Sequence, residues 1–405
     1  CVVGSINKEV SIKKENFSVS FGVCSNINVG HEITDDYFFI AVDIDLPYIL
    51  DEEREFPPLS FIKKCIKLAK LVLIYFRRIL FAKNHFKCPF HKKIRANLTR
   101  GFLADQWMLY DFDHNDCKEY LSEFDWYRSR YINEPFDFLF NNKIAANEIL
   151  KQYVRVPDIY MIKNHGFLST FESKPLEYQT AIDLLREKEK LFIKPYGAGK
   201  GTGVNILIYE NGKFFIDKDE HTEEEIIKHL KGRDNWILCE TMKQHHYSDE
   251  IYDKTVNTIR LITLRDIHTH QFKIFFAVQR IGTSATIPVD NGSRGGLVAK
   301  IDLETGMLSE ARCLHNHNVY KVHPDSKAPI EGAKIPGWDK LKVDIIELAN
   351  KMPYMHFIAW DILLTEEGMC IIEANTSSGV NIIQLWGGQR NNELGDFYRY
   401  HKVIK

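Results

Sequence analysis

Apolar and polar positions along this chain change period several times, and the changes outline its elements. The opening stretch, residues 1–55, alternates in places, so NFSVSFGV and YFFIAVDIDL are predicted as strands, the second buried. An acidic run from Asp43 to Glu55 follows, and Pro57 and Pro58 mark a break. FIKKCIKLAKLVLIYFRRILFAK then has a helical period with Lys63, Lys67 and Lys70 on one side. Residues 101–190 are mixed: FDWYRSRYINEPFDFLF is aromatic-rich, NKIAANEILKQY is a helix of good formers, and VPDIYMI enters a strand through Pro157.

From Leu191 the pattern is dense in short strands. LFIKP, VNILIY and KFFID are strands, the last two joined by a Glu-Asn-Gly turn suited to a hairpin. TEEEIIKHLKG is a helix with Thr222 as N-cap, acids in its first turn and Gly232 at its end. WILCE, VNTIRLITL and FKIFFAVQR are strands, DKLKVDIIELANKM is an amphipathic helix, and HFIAWDILL and MCIIEA form a closing pair around a TEEG turn. The class expected is α+β with largely antiparallel sheets.

Composition narrows the function classes. The 405 residues allow two or three domains, and 44% apolar with 27% charged residues is ordinary for a globular protein. A net charge of −2 argues against the whole molecule as a nucleic-acid binder. The eight cysteines show no CxxC spacing and several lie in apolar runs, which reads as buried reduced thiols. No basic segment followed by an apolar core opens the sequence, and no run reaches the roughly 20 apolar residues of a spanning helix. The cytoplasm is the expected compartment. Residues 56–104 contain no Asp or Glu but many Lys and Arg, so residues 60–95 offer a peripheral membrane contact or a docking site for a glycan-assembly partner, with ordinary packing as the plainer reading.

Three elements carry chemistry. In KPYGAGKGTGV, Gly197, Gly199 and Gly201 follow a strand ending at Lys194, and Lys200 lies among them. Backbone without Cβ atoms can turn its N–H groups onto phosphate oxygens. The Walker spacing is missing and a strand follows, so this is a glycine-rich turn in a hairpin, either a flap over phosphates or a plain surface turn. The second element is Asp361 in FIAWDILL with Glu373 and Asn375 in CIIEANTSSG. Glu373 and Asn375 share a strand face, Asp361 can meet them from the adjacent strand, and such oxygen donors suit Mg²⁺. A salt-bridged network is the alternative. The third is cationic: Arg260, Arg280 and Arg294, the last in DNGSRGG with Asn291, suit phosphate or carboxylate oxygens. His245, His246 and Lys254 follow WILCE and line an acceptor site or a solvated loop. The DxD pair Asp43 and Asp45 stands apart from all of these and gives little support to a glycosyltransferase.

The order Lys143, Lys194, Glu240, Asp361, Glu373, Asn375 resembles the ATP-grasp superfamily. TIRLITL, AVQR and DNGSRGG, through Arg260, Arg280, Asn291, Gly295 and Gly296, resemble the ribosomal-protein glutamate ligases within it, and the sugar-transfer-associated ATP-grasp group is the nearest resemblance overall, covering roughly residues 101–395. The resemblance implies two α+β lobes clamping ATP: a small lobe at 171–240 with the flap, a large lobe at 241–405 with the metal site, a preceding region at 101–170, and an N-terminal extension with the basic helix at 1–100. It implies that Lys143 and Lys194 contact ATP and that Glu240 binds its ribose. Asp361, Glu373 and Asn375 would hold two Mg²⁺ ions, with Mn²⁺ as a substitute. Arg260, Arg280 and Arg294 would serve the transferred phosphoryl group and a small or sugar-linked carboxylate, to be joined to an amine. An ATP-dependent phosphotransferase on a hydroxyl acceptor and a non-catalytic nucleotide-binding scaffold are the other readings.

Overall fold

Short strands separated by tight turns build two antiparallel sheets of seven strands each. The computed structural model describes residues 61–197 and 203–405, so the predicted strands before Asp43 and the flap residues Gly199, Lys200 and Gly201 lie outside the described residues. The chain divides into two units, Cys1–Lys67 and Leu68–Lys405, and every described strand belongs to the second.

The first sheet is formed by β1 (Ile159–Asn164), β2 (Phe167–Ser169), β3 (Lys190–Pro195), β4 (Asn205–Glu210), β5 (Lys213–Ile216), β6 (Asp219–His221) and β7 (Trp236–Glu240), in the order β2-β1-β7-β3-β4-β5-β6. The Glu-Asn-Gly turn joins β4 to β5 with Glu210 opposite Lys213. Asn211 and Gly212 take φ of 51° and 77°, the paired left-handed conformation that matches strand twist in a two-residue hairpin. Helices Tyr178–Lys188 and Glu223–Lys231 cover this sheet through a core that includes Ile182, Leu185, Ile226 and Leu230. Thr222 caps the second helix by accepting from Glu225 N, and Glu225 returns the bond to Thr222 N. Gly232 ends that helix at φ −72°, right-handed, so the left-handed stop expected from its position is not used.

The second sheet is formed by β8 (Ile259–Arg265), β9 (Phe272–Ile281), β10 (Leu297–Ile301), β11 (Leu308–Cys313), β12 (Val319–Tyr320), β13 (Phe357–Thr365) and β14 (Gly368–Asn375), in the order β12-β11-β10-β9-β8-β13-β14. Its two faces follow from strand alternation. Ile259, Leu261, Ala277, Trp360 and Ile362 pack towards helix Trp338–Asn350. Ile262, Leu264, Phe276, Val278 and Ala359 point the other way, under helix Glu393–Tyr400. Both faces of β13 are thereby covered, which is why its first eight residues are buried.

The basic segment folds as a helix, Phe61–Tyr75, that widens into a π-helical turn at Phe76–Leu80 and stops there, short of the single helix its period predicts. A second helix, Phe90–Leu98, follows. Among the described residues no helix is long and apolar enough to cross a membrane.

His401, just beyond helix Glu393–Tyr400, lies tilted against Phe397 and meets His356 edge-on at 5.0 Å. Burial, and then the neighbouring His356, push its pKa down to about 4. The unfolded chain takes up this proton near pH 6.5, whereas the folded chain resists it until about pH 4, so stability present above pH 6.5 drains away as pH falls through that window. Urea titrations of the wild type should lose up to about 3 kcal/mol on this account. His401→Phe should flatten that part of the acid limb.

Candidate active site

The face of the second sheet that carries Ile262 and Val278 ends in charged residues, and this is where the site begins. Register places Arg260 on β8 opposite Asp361 on β13, and Asp361 opposite Glu373 on β14. Arg280 lies two residues beyond Val278, the β9 partner of Arg260. Period-two alternation therefore brings Arg280, Arg260, Asp361 and Glu373 to one face on four neighbouring strands.

These residues form one network. Arg260 grips Asp361 in fork geometry, Nε on Oδ1 and Nη2 on Oδ2 at 3.0 Å. Arg280 Nη1 donates to the same Oδ2 at 3.2 Å, and its Nη2 donates to Asp290 Oδ1 at 2.6 Å. The other oxygen of Asp290 accepts from Thr258 N at 2.7 Å and Thr258 Oγ1 at 2.6 Å. Asp361 and Asp290 are buried at 6% and 4% exposure, depths at which a lone carboxylate would be strongly penalised. Burial pushes the Asp361 carboxyl up, but Arg260 and Arg280 outweigh it and hold the group below its usual range. Burial likewise opposes charge on Arg280, while Asp290, Asp361 and Glu373 together raise its pKa. The acids and the arginines, separate elements in the sequence, are thus a single charge-balanced cluster.

The opposite wall comes from the first sheet and the helix before it. Asn142 caps helix Lys143–Leu150 by accepting from Ile144 N and Ala145 N. Lys143 N donates to Tyr196 O, which fixes the helix start to the end of β3. Its Nζ reaches Glu373 Oε1 at 3.4 Å. Lys194 lies on β3 with its ammonium over the Phe192 ring. Glu240 ends β7, and its Oε2 accepts from Arg155 Nη2 and, at 3.1 Å, from Asp158 N.

A cleft of about 350 Å³ gathers these groups, within the range of small-ligand sites. Lys143, Lys194, Glu240, Arg260, Arg280, Asp361, Glu373 and Asn375 all line it, with Phe192, Met242, Leu363 and Ile372 as apolar surface. Two expected residues stand apart. Arg294 is exposed in the turn Gly292–Arg294 and is absent from the lining, although Asn291 and Gly292 belong to it. Gly197 opens the β3–β4 loop outside the lining. His245 and His246 are also elsewhere: both face Glu366 in the β13–β14 turn. His245 Nδ1 accepts from Tyr247 N, which leaves its Nε2 as the proton-bearing nitrogen in the neutral ring and unsuited to bind a metal there.

Asp290, Thr258 and Glu123 line the cleft as well and were not singled out from the sequence. Asp290 had a signal, since it opens the DNGSRGG loop. Gly296 is what lets that loop fold back, because a Cβ there would come within 2.7 Å of Asp290 O. Glu123 had none; it starts helix Glu123–Ser129 and pairs with Gln106 at both its backbone and its carboxylate.

The donor set Asp361, Glu373 and Asn375 fits a hard divalent cation. It offers two carboxylates and an amide oxygen. Asn375 Nδ2 is buried without a hydrogen-bond partner, so the protein alone does not fully order that amide.

A family model described as sugar-transfer associated ATP-grasp matches residues 124–393, well over half of the chain. Among curated protein sequences none matches. Similar solved structures include D-alanine–D-alanine ligase from Helicobacter pylori, 16% identical with a TM-score of 0.38, covering 66% of this chain and 62% of that one. The Bacillus anthracis enzyme complexed with ATP is 12% identical with a TM-score of 0.34, covering 65% of this chain and 64% of its own. The ATP-grasp ligase PsnB with minimal precursor, Mg and ADP is 11% identical with a TM-score of 0.36, covering 67% and 61%. The chain spans less than two thirds of the length of each of these ligases, and at such scores the likenesses add nothing to the assignment. It rests on the family model together with two antiparallel sheets in an α+β arrangement: the chain belongs to the sugar-transfer associated ATP-grasp family.

Proposed function

We propose that this protein is an ATP-dependent, ADP-forming carboxylate–amine ligase acting on a sugar carboxylate or related acid in surface-polysaccharide synthesis. The observation that carries the reading is the meeting in one cleft of Lys143 and Lys194 with the trio Asp361, Glu373 and Asn375. Two cations facing two carboxylates and an amide suit a triphosphate and the metal that accompanies it.

In this scheme the lysines neutralise phosphate oxygens, and Glu240, held through Oε2 by Arg155, turns its carboxylate to the ribose hydroxyls. Phe192, Met242, Leu363 and Ile372 supply the apolar wall for the base. Asp361, Glu373 and Asn375 would hold Mg²⁺, two ions in the full complex with Mn²⁺ as a substitute; bound there, the metal supplies charge neutralisation for phosphoryl transfer. Gly199, Lys200 and Gly201 belong to the same scheme as the flap between β3 and β4. The substrate carboxylate attacks the γ-phosphorus and ADP leaves. The amine then attacks the acyl carbon, inorganic phosphate leaves, and the nitrogen gives up a proton. Positioning and electrostatics carry the rate, since no strong base is required of the protein.

Arg260 and Arg280 line the same cleft, but their forks are committed to Asp361 and Asp290. In this scheme they hold the acidic cluster in place and add positive charge beside the transferred phosphoryl group. Arg294, exposed at the rim, takes no part in this scheme. The description of the family as sugar-transfer associated supports a sugar-linked acid.

Purified protein given ATP, Mg²⁺, uronic acids or nucleotide-linked uronates and a panel of amines should form ADP only when both acid and amine are present. ADP release on a hydroxyl acceptor without amine, or AMP as the product, would sink the ligase reading. Glu373→Gln should cut turnover by a factor of about 10²–10³ or more, a rise of about 2.7–4 kcal/mol or more in the barrier, while circular dichroism stays that of the wild type. Asp290→Asn should act through Arg280. Because Asp361 still holds Nη1, it should cost roughly 1–3 kcal/mol of stability rather than the 3–5 of stripping a buried ion of its only partner. It should also lower kcat more than it raises the KM for ATP.

A further inference from the structure

The acid-free segment gives a second surface to this protein, distant in character from the nucleotide cleft and independent of its assignment. Its two helices are tied to each other, and the second, with the connection before it, is fixed to the body. Tyr75 OH donates to Asn97 O at 2.7 Å, and Ile79, Ala96 and Asn97 are buried. In the connection between them, His85 N and Phe86 N both donate to the Asp105 carboxylate, at 2.9 and 3.0 Å. Lys92 pairs with Asp113, and Arg95 lies over the Trp107 ring at 5.2 Å. The frame is therefore anchored, and its outer side is what needs explanation.

The exposed side chains of this segment are apolar and cationic together. Between residues 68 and 98, eight large apolar side chains are exposed, against nine from residue 99 to the end at 405 among the described residues. Isolated exposed apolar residues are normal, but such a concentration marks an interaction surface. The most exposed are Phe81 at 77%, Phe90 at 76% and Leu98 at 74%. Lys70, Arg77, Arg78, Lys83 and Lys87 are exposed among them, and no Asp or Glu occurs from residue 56 to residue 104. A protein partner's apolar pocket would explain the phenylalanines, and a polyanion would explain the cations. A bilayer with acidic headgroups explains both, since apolar side chains enter the acyl boundary while Lys and Arg remain at the phosphates.

We propose that residues 68–98 are a membrane-surface anchor, in which the exposed side chains of Leu73, Phe81 and Phe90 insert at the interface of an anionic bilayer and Lys83 and Lys87 hold its headgroups.

The test is co-sedimentation of the full chain with vesicles of phosphatidylcholine containing roughly a third phosphatidylserine, against phosphatidylcholine alone. The protein should pellet with the anionic vesicles only, and should be released at about 1 M salt, where screening reaches a few ångströms. Lys83→Glu and Lys87→Glu should each weaken binding about fivefold or more. Phe81→Asp and Phe90→Asp, at positions exposed enough to leave folding intact, should weaken it at least as much, with unchanged thermal unfolding as the control. Full-length protein that stays in solution with anionic vesicles overturns the proposal. So does equal binding to neutral vesicles, or binding indifferent to both phenylalanine substitutions.

Discussion

The grip of two arginines on Asp361 is the constraint around which the cleft is arranged. A carboxylate at 6% exposure on a central strand survives only with compensation close by. Arg260 provides it from the next strand in register, and Arg280 from the strand beyond. Arg280 then requires a second acid, which Asp290 supplies, and Asp290 in turn ties down Thr258 at the start of β8. Charge balance thus propagates outward from one residue until the loop following β9 is fixed as well.

On the proposed function the same cluster would accommodate a metal without dissolving. Asp361 has both oxygens committed to guanidinium groups, whereas Glu373 is half-buried and its contact with Lys143 is a longer 3.4 Å. Glu373 would be the more available ligand, and Asp361 the more rigid one. Rigidity here is favourable for chemistry that depends on placement, because a ligand already fixed in position loses little freedom when it is used.

Much of this plan could be read from residue order. Strand periods placed β3 to β5 and β7 to β9 within three residues, because alternation is a local property. The Glu-Asn-Gly turn and the Thr222 cap could be read for the same reason: each acts within four residues. The tight hairpin brings Asp361 and Glu373 close, but the register set by the turn would place Asp361 against Ile372, and a β-bulge between Asp361 and Ile362 shifts the pairing to Glu373. The partnership of Arg260 with Asp361 was beyond that reach. It depends on β13 returning to lie beside β8 across 101 positions, and nothing in either strand's pattern announces the neighbour. Glu123 was invisible for a related reason, since it takes its place from a packing partner supplied by another element, whereas Asp290 was marked by the loop it opens but not by its partner Arg280. The basic helix was predicted too long because its period continues past Leu80 into residues that the fold does not hold in helical form.

The passage between the sheets has a mechanical consequence. The backbone goes from one sheet to the other twice in adjacent places. Arg155 bridges to Cys370 on β14 just before β1 begins, and Glu240 closes β7 just before His245 N bonds to Leu364 O on β13. The Arg155–Glu240 pair clasps the two straps together. A panel hung on two neighbouring straps swings about the line that joins them and resists twisting. Any parting of the two sheets would therefore follow a path that the connectivity sets, and a nucleotide held as proposed would leave past a door rather than a loose flap.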